Sequence, residues 1–310
     1  MAGFIGMYVA IGLKKRGDFV IGIDNFNNYY DVNLKQARAK ELKKLGIDCL
    51  HTDICDGTTI DQLVAQHGIT HLVHLAAQAG VRYSLECPET YVKSNLDGFV
   101  TLLEVCRKYP AIKFIYASSS SVYGLNRKQP FSEKDFTDSP ASLYGATKKA
   151  NEVIAHAYHH IFDIPVTGLR FFTVYGPWGR PDMAAWIFTK NILEGKPIPV
   201  YNNGKMKRDF TYIDDIVDGV IAAVDKGFAC ELINLGNNQP EELEDLIRYI
   251  EQACGKKAIQ DLLPMQLGDV LETCAEIDKA KKLLNFSPKV SLEEGIRRFV
   301  TWYKSYTQVN

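Results

Sequence analysis

The chain has no apolar run near the ~18 residues of a membrane-spanning helix. It also lacks an excess of either charge: 36 lysines and arginines stand against 37 aspartates and glutamates. No electrostatic footprint for nucleic acid or an anionic membrane results, and neither is expected as a partner. Cysteines are scattered at positions 49, 55, 87, 106, 230, 254 and 274, odd in number and never spaced C-x-x-C. That pattern excludes a disulfide framework and suits reduced thiols in a cytoplasmic protein. Metal ligands are thin as well. His156, His159 and His160 form the one histidine cluster, no acidic or cysteine ligand stands out beside them, and no histidine follows position 160, so no metal is expected. The apolar start, Met1 to Leu13, precedes its charges Lys14-Lys15-Arg16, the reverse of a secretory signal.

What is present is ordinary globular material, 46% hydrophobic and 24% charged over 310 residues, enough for one large or two modest domains. The first half alternates strand-like apolar runs with helical segments. Strands are predicted at 19–23, ending on Asp24, and at 49–51, 70–75, 113–117 and 165–170. Helices are predicted between them at 33–45, 60–67, 100–108 and 144–161. This βαβα rhythm predicts a mostly parallel sheet covered on both faces. Beyond about position 174 the pattern is richer in loops, with helices predicted at 183–193, 215–224, 241–253, 277–284 and 292–303. No repeat or low-complexity linker separates the halves, so the second part reads as a smaller lobe interleaved with the sheet.

Chemistry concentrates in two neighbouring segments. Ser118-Ser119-Ser120-Ser121-Val122-Tyr123-Gly124 follows the apolar run Lys113–Ala117, and Tyr144-Gly-Ala-Thr-Lys148 opens the next helix. A tyrosine and lysine four apart share a helix face. A nearby ammonium favours the phenolate of a side chain whose pKa is otherwise near ~10. A serine hydroxyl can then share a proton with Tyr144 and a substrate alcohol. Alone, a Y-x-x-x-K pair is common. Its value here comes from the hydroxyls at the C-terminal end of a strand, where open α/β sheets bind ligands.

Gly3-Phe4-Ile5-Gly6 opens a helix, and the following strand ends in Asp24. Paired glycines at a helix start suit the approach of a pyrophosphate to backbone N–H groups. An acid about 20 positions on suits an adenosine ribose diol and disfavours a 2′-phosphate. The cofactor expected is NAD.

With these motifs the sequence resembles the extended short-chain dehydrogenase/reductase superfamily, and within it the NAD-dependent nucleotide-sugar 4-epimerases, most of all those acting on UDP-glucuronate. The likeness runs through Ala2–Gly6, Gly22–Asn25, Ala76–Ser84, the serine run, Tyr144–Lys148, Arg170–Pro181 and Arg208–Asp215. It implies a Rossmann-like doubly wound parallel sheet with a smaller C-terminal α/β substrate lobe. Residues 1–173, with sheet contributions from about 210–237, would hold NAD, and 174–310 would mainly hold the nucleotide sugar. It implies a homodimer and an isomerase of polysaccharide biosynthesis.

The resemblance also assigns roles. Tyr144 is the base on the sugar 4-hydroxyl; Lys148 holds the nicotinamide ribose and lowers the Tyr144 pKa; Ser119 relays the proton. Gly3, Phe4, Ile5, Gly6, Asp24, Asn25, Asp53, Ile54, Leu75, Ala76, Ala77 and Asn95 would line the cofactor. Arg208 would pair with the UDP pyrophosphate and Asp269 with the uridine ribose, with Arg82 and Ser120 also on the substrate. Neutral Ser120-Ser121, where dehydratases and decarboxylases carry an acid, favours plain epimerisation. Thr173 and Arg180 stand where hexuronate epimerases hold the sugar carboxylate. The alternatives are a UDP-glucose 4-epimerase, a UDP-glucuronate decarboxylase, or a catalytically silent nucleotide-sugar-binding protein.

One departure sets a further expectation. The family begins with a strand and a G-x-x-G-x-x-G loop, whereas this sequence starts inside that loop. Three or four buried aliphatic side chains at ~1.5–3 kcal/mol each are comparable with a domain's whole stability of ~5–15 kcal/mol. A true start roughly ten residues upstream is expected over a damaged copy that binds NAD poorly, because the remaining motifs are intact.

Overall fold

Short apolar runs and capped helices build a parallel sheet that is divided in two. The computed structural model describes residues 1–309. Helix α1 (Phe4–Lys15) leads into strand β1 (Ile21–Asp24), α2 (Val32–Lys44), β2 (Asp48–His51), α3 (Gly57–His67) and β3 (His71–His74). Two single-turn helices, α4 (Tyr83–Glu86) and α5 (Pro88–Tyr91), precede α6 (Gly98–Lys108), β4 (Lys113–Ser119), α7 (Leu143–Phe162) and β5 (Val166–Phe171). Side chains of Asp31, Asp56 and Ser142 accept N–H groups of the first turns of α2, α3 and α7, which explains where those helices begin.

Strands β3, β4 and β5 run parallel, and β9 (Cys230–Leu235) adds to the far edge of β5. Strand β5 is buried along its whole length, as a strand covered on both faces must be. Strands β1 and β2 pair only with each other. Between β1 and β3 runs a slot of about 610 Å³, walled by Ile21–Ile23 and Leu72–His74. Val9, Ala10 and Leu13 of α1 close one side, and Ile60, Val64 and Leu102 line it as well. Met1 sits at one end. Its ammonium donates to the Ile23 carbonyl at 2.5 Å and lies 3.3 Å from the Asp24 carboxylate. A Cβ on Gly22 would come within 2.0 Å of Met1 Cε and 2.7 Å of Met1 Cβ, so a larger residue there would displace the Met1 side chain.

The elements after β5 that complete the chain are β6 (Thr173–Tyr175), α8 (Ala184–Glu194), β7 (Pro197–Tyr201), β8 (Lys207–Tyr212), α9 (Ile213–Lys226), β10 (Pro240–Glu242), α10 (Leu243–Cys254), β11 (Ile259–Leu263), α11 (Asp278–Leu284) and α12 (Leu292–Thr307); α9 packs against α1 and β4, on the face of the parallel sheet. Strand β8 pairs parallel with β6 and antiparallel with β10, while β7 and β11 form a parallel pair. Sequence reading found the helices here but not the strands at 173–175, 197–201, 207–212 and 259–263: the first has three residues, the second carries two prolines, and the last two are interrupted by charge. Asp209 ties β8 to two distant loops. Fully buried, it accepts the N–H groups of Asn237, Asn238 and Ala275 at 2.6, 2.9 and 2.9 Å.

The divided sheet predicts uneven protection. Strands β4 and β5 pair on both sides, whereas β1 and β3 each present an unpaired edge to the slot. Native-state hydrogen exchange should therefore be slowest in β4 and β5 and faster in β1 and β3, which have weaker local support. Equal protection across all four strands would contradict this reading of the slot.

Candidate active site

The catalytic candidates come together where β4 meets α7. Strand β4 ends at Ser118-Ser119 and the chain turns sharply through 120–123. Ser119 Oγ accepts the Ser121 N–H at 3.1 Å and donates to the Ser121 hydroxyl at 3.1 Å. Ser142 Oγ caps α7 by accepting the Gly145 N–H at 3.1 Å. A Cβ on Gly145 would lie 2.6 Å from the Ser121 carbonyl. Glycine thus lets the helix start press against the serine turn, and Tyr144 arrives beside Ser119.

Tyr144, Lys148 and Glu152 follow one another at one-turn intervals along α7. The Tyr144 phenol is raised above its ordinary value by burial, while the Ser119 hydroxyl and the Arg180 charge pull it back. Its ring meets the Tyr91 ring edge-on at 6.2 Å, and Tyr91 is fixed through its hydroxyl to the Gly80 carbonyl at 2.5 Å. The expected partner of Tyr144 was Lys148. Instead, Lys148 Nζ is turned to the sheet and donates to the Ala117 carbonyl at 2.8 Å. Burial lowers its pKa to about 8, with Glu152 working in the opposite direction. Ser119 and Arg180 are the groups that ease ionisation of the phenol.

Glu152 belongs to a buried network that sequence reading missed. It accepts Arg170 Nε and Nη2, each at 2.8 Å, and the Ser118 hydroxyl at 2.6 Å. Arg170 also donates to the Tyr123 hydroxyl at 3.0 Å, which in turn donates to Asn234 at 2.6 Å. Two signals were available: a carboxylate four residues after Lys148, and a lone arginine in the apolar run of β5, which must find a partner when buried.

A cavity of about 280 Å³ joins these residues to the start of the chain. Gly3, Phe4, Ile5, Gly6, Asp24, Asn25, Ile54, Leu75, Ala76, Ala77, Ser119, Tyr144, Lys148 and Arg180 all line it. The first turn of α1 has no side-chain cap, and a Cβ on Gly3 would meet nothing within 4 Å. Open N–H groups at a helix start, with an acid ending the next strand, fit a dinucleotide pyrophosphate and its ribose. Asp24 accepts the Phe26 N–H at 2.9 Å and faces the Met1 ammonium.

Other expected residues lie off the cavity wall. Asp53 is engaged by Asn25 Nδ2 at 2.8 Å and the Cys55 N–H at 2.9 Å, so it orients Asn25. Asn95 is buried, bonded to the Gln78 backbone and the Thr147 hydroxyl. It pins the loop after β3 to α7 and its amide does not reach the cavity. Ser120 and Thr173 sit beside lining residues without lining the cavity themselves. Arg82, Arg208 and Asp269 form a separate group. Arg82 lies 3.7 Å from Asp269 and over the Tyr201 ring at 4.5 Å, and Arg208 donates to the Leu271 carbonyl at 3.1 Å. Among the described residues, no group of three His, Cys, Asp or Glu side chains is arranged to hold a metal ion.

The network yields a measurable consequence. Glu152→Gln keeps the shape but removes the charge that supports the Lys148 ammonium, so the Lys148 ionisation followed by NMR should move from about 8 to lower pH. Leaving Arg170 buried without its counter-charge should cost about 3–5 kcal/mol in urea unfolding. An unmoved Lys148 titration would show that Glu152 does not act on it.

Residues 1–236 match the model of the NAD dependent epimerase/dehydratase family. UDP-glucuronate 4-epimerase 4 of Arabidopsis thaliana is 52% identical over 323 residues, spanning 98% of this chain and 74% of that protein. The crystal structure of a UDP-glucuronic acid 4-epimerase from Bacillus cereus, in complex with UDP-glucuronic acid and NAD, superposes with a TM-score of 0.92 at 37% identity, covering 98% of this chain and 97% of that one. A UDP-glucose 4-epimerase from Thermotoga maritima gives 0.88 at 30% identity, covering 99% and 97%. With the uncapped glycine helix, the acid ending β1 and the serine–tyrosine–lysine corner on one cavity, this chain belongs to the NAD dependent epimerase/dehydratase family.

Proposed function

We propose that the protein is an NAD-dependent isomerase that interconverts UDP-glucuronate and UDP-galacturonate through a transient 4-keto sugar. The observation that carries this reading is the presence of Ser119, Tyr144 and Arg180 on one cavity. A base, a hydroxyl relay and a guanidinium able to hold a carboxylate are thereby gathered around one sugar. NAD, when bound, supplies the electron-pair acceptor at C4 and returns the same pair. Tyr144 takes the 4-hydroxyl proton as the C4–H bond breaks, and Ser119 holds the 4-oxygen through the change to a carbonyl. Reversal after the keto sugar has turned over delivers the 4-epimer, with Tyr144 giving the proton back.

Arg180, which lines the cavity, is assigned to the sugar carboxylate. A 4-keto uronate is a β-keto acid, and a guanidinium holding the carboxylate out of line with the carbonyl restrains loss of CO2. Arg82, Arg208 and Asp269 are assigned to the uridine diphosphate. In the same reading, residues 1–173 with strands from 210–237 form the cofactor lobe, and the remainder forms the substrate lobe. The protein acts as a homodimer in the cytoplasm, in keeping with seven free cysteines.

Incubation with NAD and UDP-glucuronate, followed by NMR, should give UDP-galacturonate at equilibrium with substrate. A pentose product with CO2 would favour the decarboxylase, and turnover of UDP-glucose alone would favour the neutral-sugar epimerase. Arg180→Ala should raise KM for UDP-glucuronate tenfold to a hundredfold, on the order of one charged hydrogen-bonded pair, or release pentose. Neither change occurring would remove Arg180 from the carboxylate site.

A further inference from the structure

Arg180 is not a free cation. Its Nε donates to Asp182 Oδ1 at 3.0 Å, and its Nη2 donates to Asp182 Oδ2. The Tyr29 hydroxyl donates to that same Oδ2 at 3.0 Å, and the guanidinium lies over the Tyr29 ring at 5.8 Å. Both charged side chains are mostly covered, 22% exposed for Arg180 and 30% for Asp182. Burial alone would raise the Asp182 carboxyl, but Arg180 and Tyr29 hold it below the usual carboxylate range.

The occupied edge is the one that matters for substrate. A guanidinium pairs with a carboxylate best through two parallel N–H donors, and Asp182 holds one such pair. A second carboxylate brought to the same edge would face Asp182 as a like charge in a poorly solvated place. The covered guanidinium, conversely, is costly to leave unpaired in the free enzyme. Both requirements are met if one carboxylate replaces the other.

Resting on the uronate reading above, we propose that Asp182 is a specificity-determining residue. Its carboxylate stands in for the sugar carboxylate in the free enzyme, and a UDP-uronate binds by displacing it from Arg180. A neutral UDP-sugar leaves the Arg180–Asp182 pair closed and gains nothing from Arg180. Uronate affinity is then set by the difference between two ion pairs, so the product, carrying the same carboxylate as the substrate, is released by the return of Asp182.

The test is calorimetric titration of the NAD-loaded protein with UDP-glucuronate and with UDP-glucose, in wild type, Asp182→Asn and Arg180→Ala, with crystals of the UDP-glucuronate complex. Asparagine keeps the shape and a hydrogen-bonding carbonyl, but it competes weakly for the guanidinium. The ratio of uronate to neutral-sugar affinity should rise roughly tenfold in Asp182→Asn. In the wild-type crystal, the sugar carboxylate should take Nε and Nη2, with Asp182 withdrawn. A ratio that stays the same or falls, or a complex in which the Arg180–Asp182 pair is intact, overturns the exchange. Arg180→Ala separates the two claims. If it keeps the uronate preference, the carboxylate reading itself fails. If it abolishes that preference while Asp182→Asn does not raise it, only the exchange fails.

Discussion

The buried pair between Arg170 and Glu152 is the contact on which the site depends. Arg170 comes from β5, at the centre of the sheet, and Glu152 from the helix carrying Tyr144 and Lys148. Burying both charges is costly, and the cost is offset only because every polar atom finds a partner. Ser118, Tyr123 and Asn234 supply those partners. A slide of α7 along the sheet would break several bonds at once. The helix is therefore held in one register, and Tyr144 meets the serine turn at a fixed height. Hydrophobic packing alone is non-directional and would tolerate small slides that acid–base chemistry would not.

A second buried guanidinium performs the same service between cofactor and substrate loops. Arg38 on α2 donates to the carbonyls of Ala2, Trp178 and Gly179 and to the Tyr30 hydroxyl. Ala2 precedes the glycine helix start, and Gly179 precedes Arg180. One planar fork thus couples the backbone that would cradle a pyrophosphate to the loop that presents the substrate cation. Arginine is suited to this because its five donors are fixed in one plane; lysine at position 38 could not reach the same set.

How much of this was legible in the sequence follows from the range of the interactions. The alternating elements of the first half were legible because periodicity is local. The Tyr144–Lys148 face was legible because four residues is one helical turn. The direction of the Lys148 ammonium was not, since it depends on Glu152 and on the Ala117 carbonyl, 31 residues away. Strand β8 escaped because it includes Lys207, Arg208 and Asp209, which break an apolar reading. Asp209 is in fact buried, held by backbone donors from two distant loops. Asp182 escaped for a related reason: Arg180 two residues earlier looked like a ligand for substrate, and only three-dimensional geometry shows its fork already in use.

The Arg180 charge has two duties that conflict unless Asp182 is considered. It eases ionisation of Tyr144, and in the proposed function it binds a carboxylate. If Arg180 were bare in the free enzyme, substrate binding would neutralise it and make the Tyr144 phenol harder to ionise at the moment the base is needed. Because Asp182 already pairs with Arg180, exchanging that carboxylate for the sugar's leaves the charge felt by the phenol nearly unchanged. The ease with which Tyr144 ionises is then set before substrate arrives and survives its arrival. Preorganised electrostatics of this kind require little rearrangement of charge during the reaction. An ion pair that looks like self-inhibition is thereby a means of keeping recognition and proton transfer independent, though both use one guanidinium.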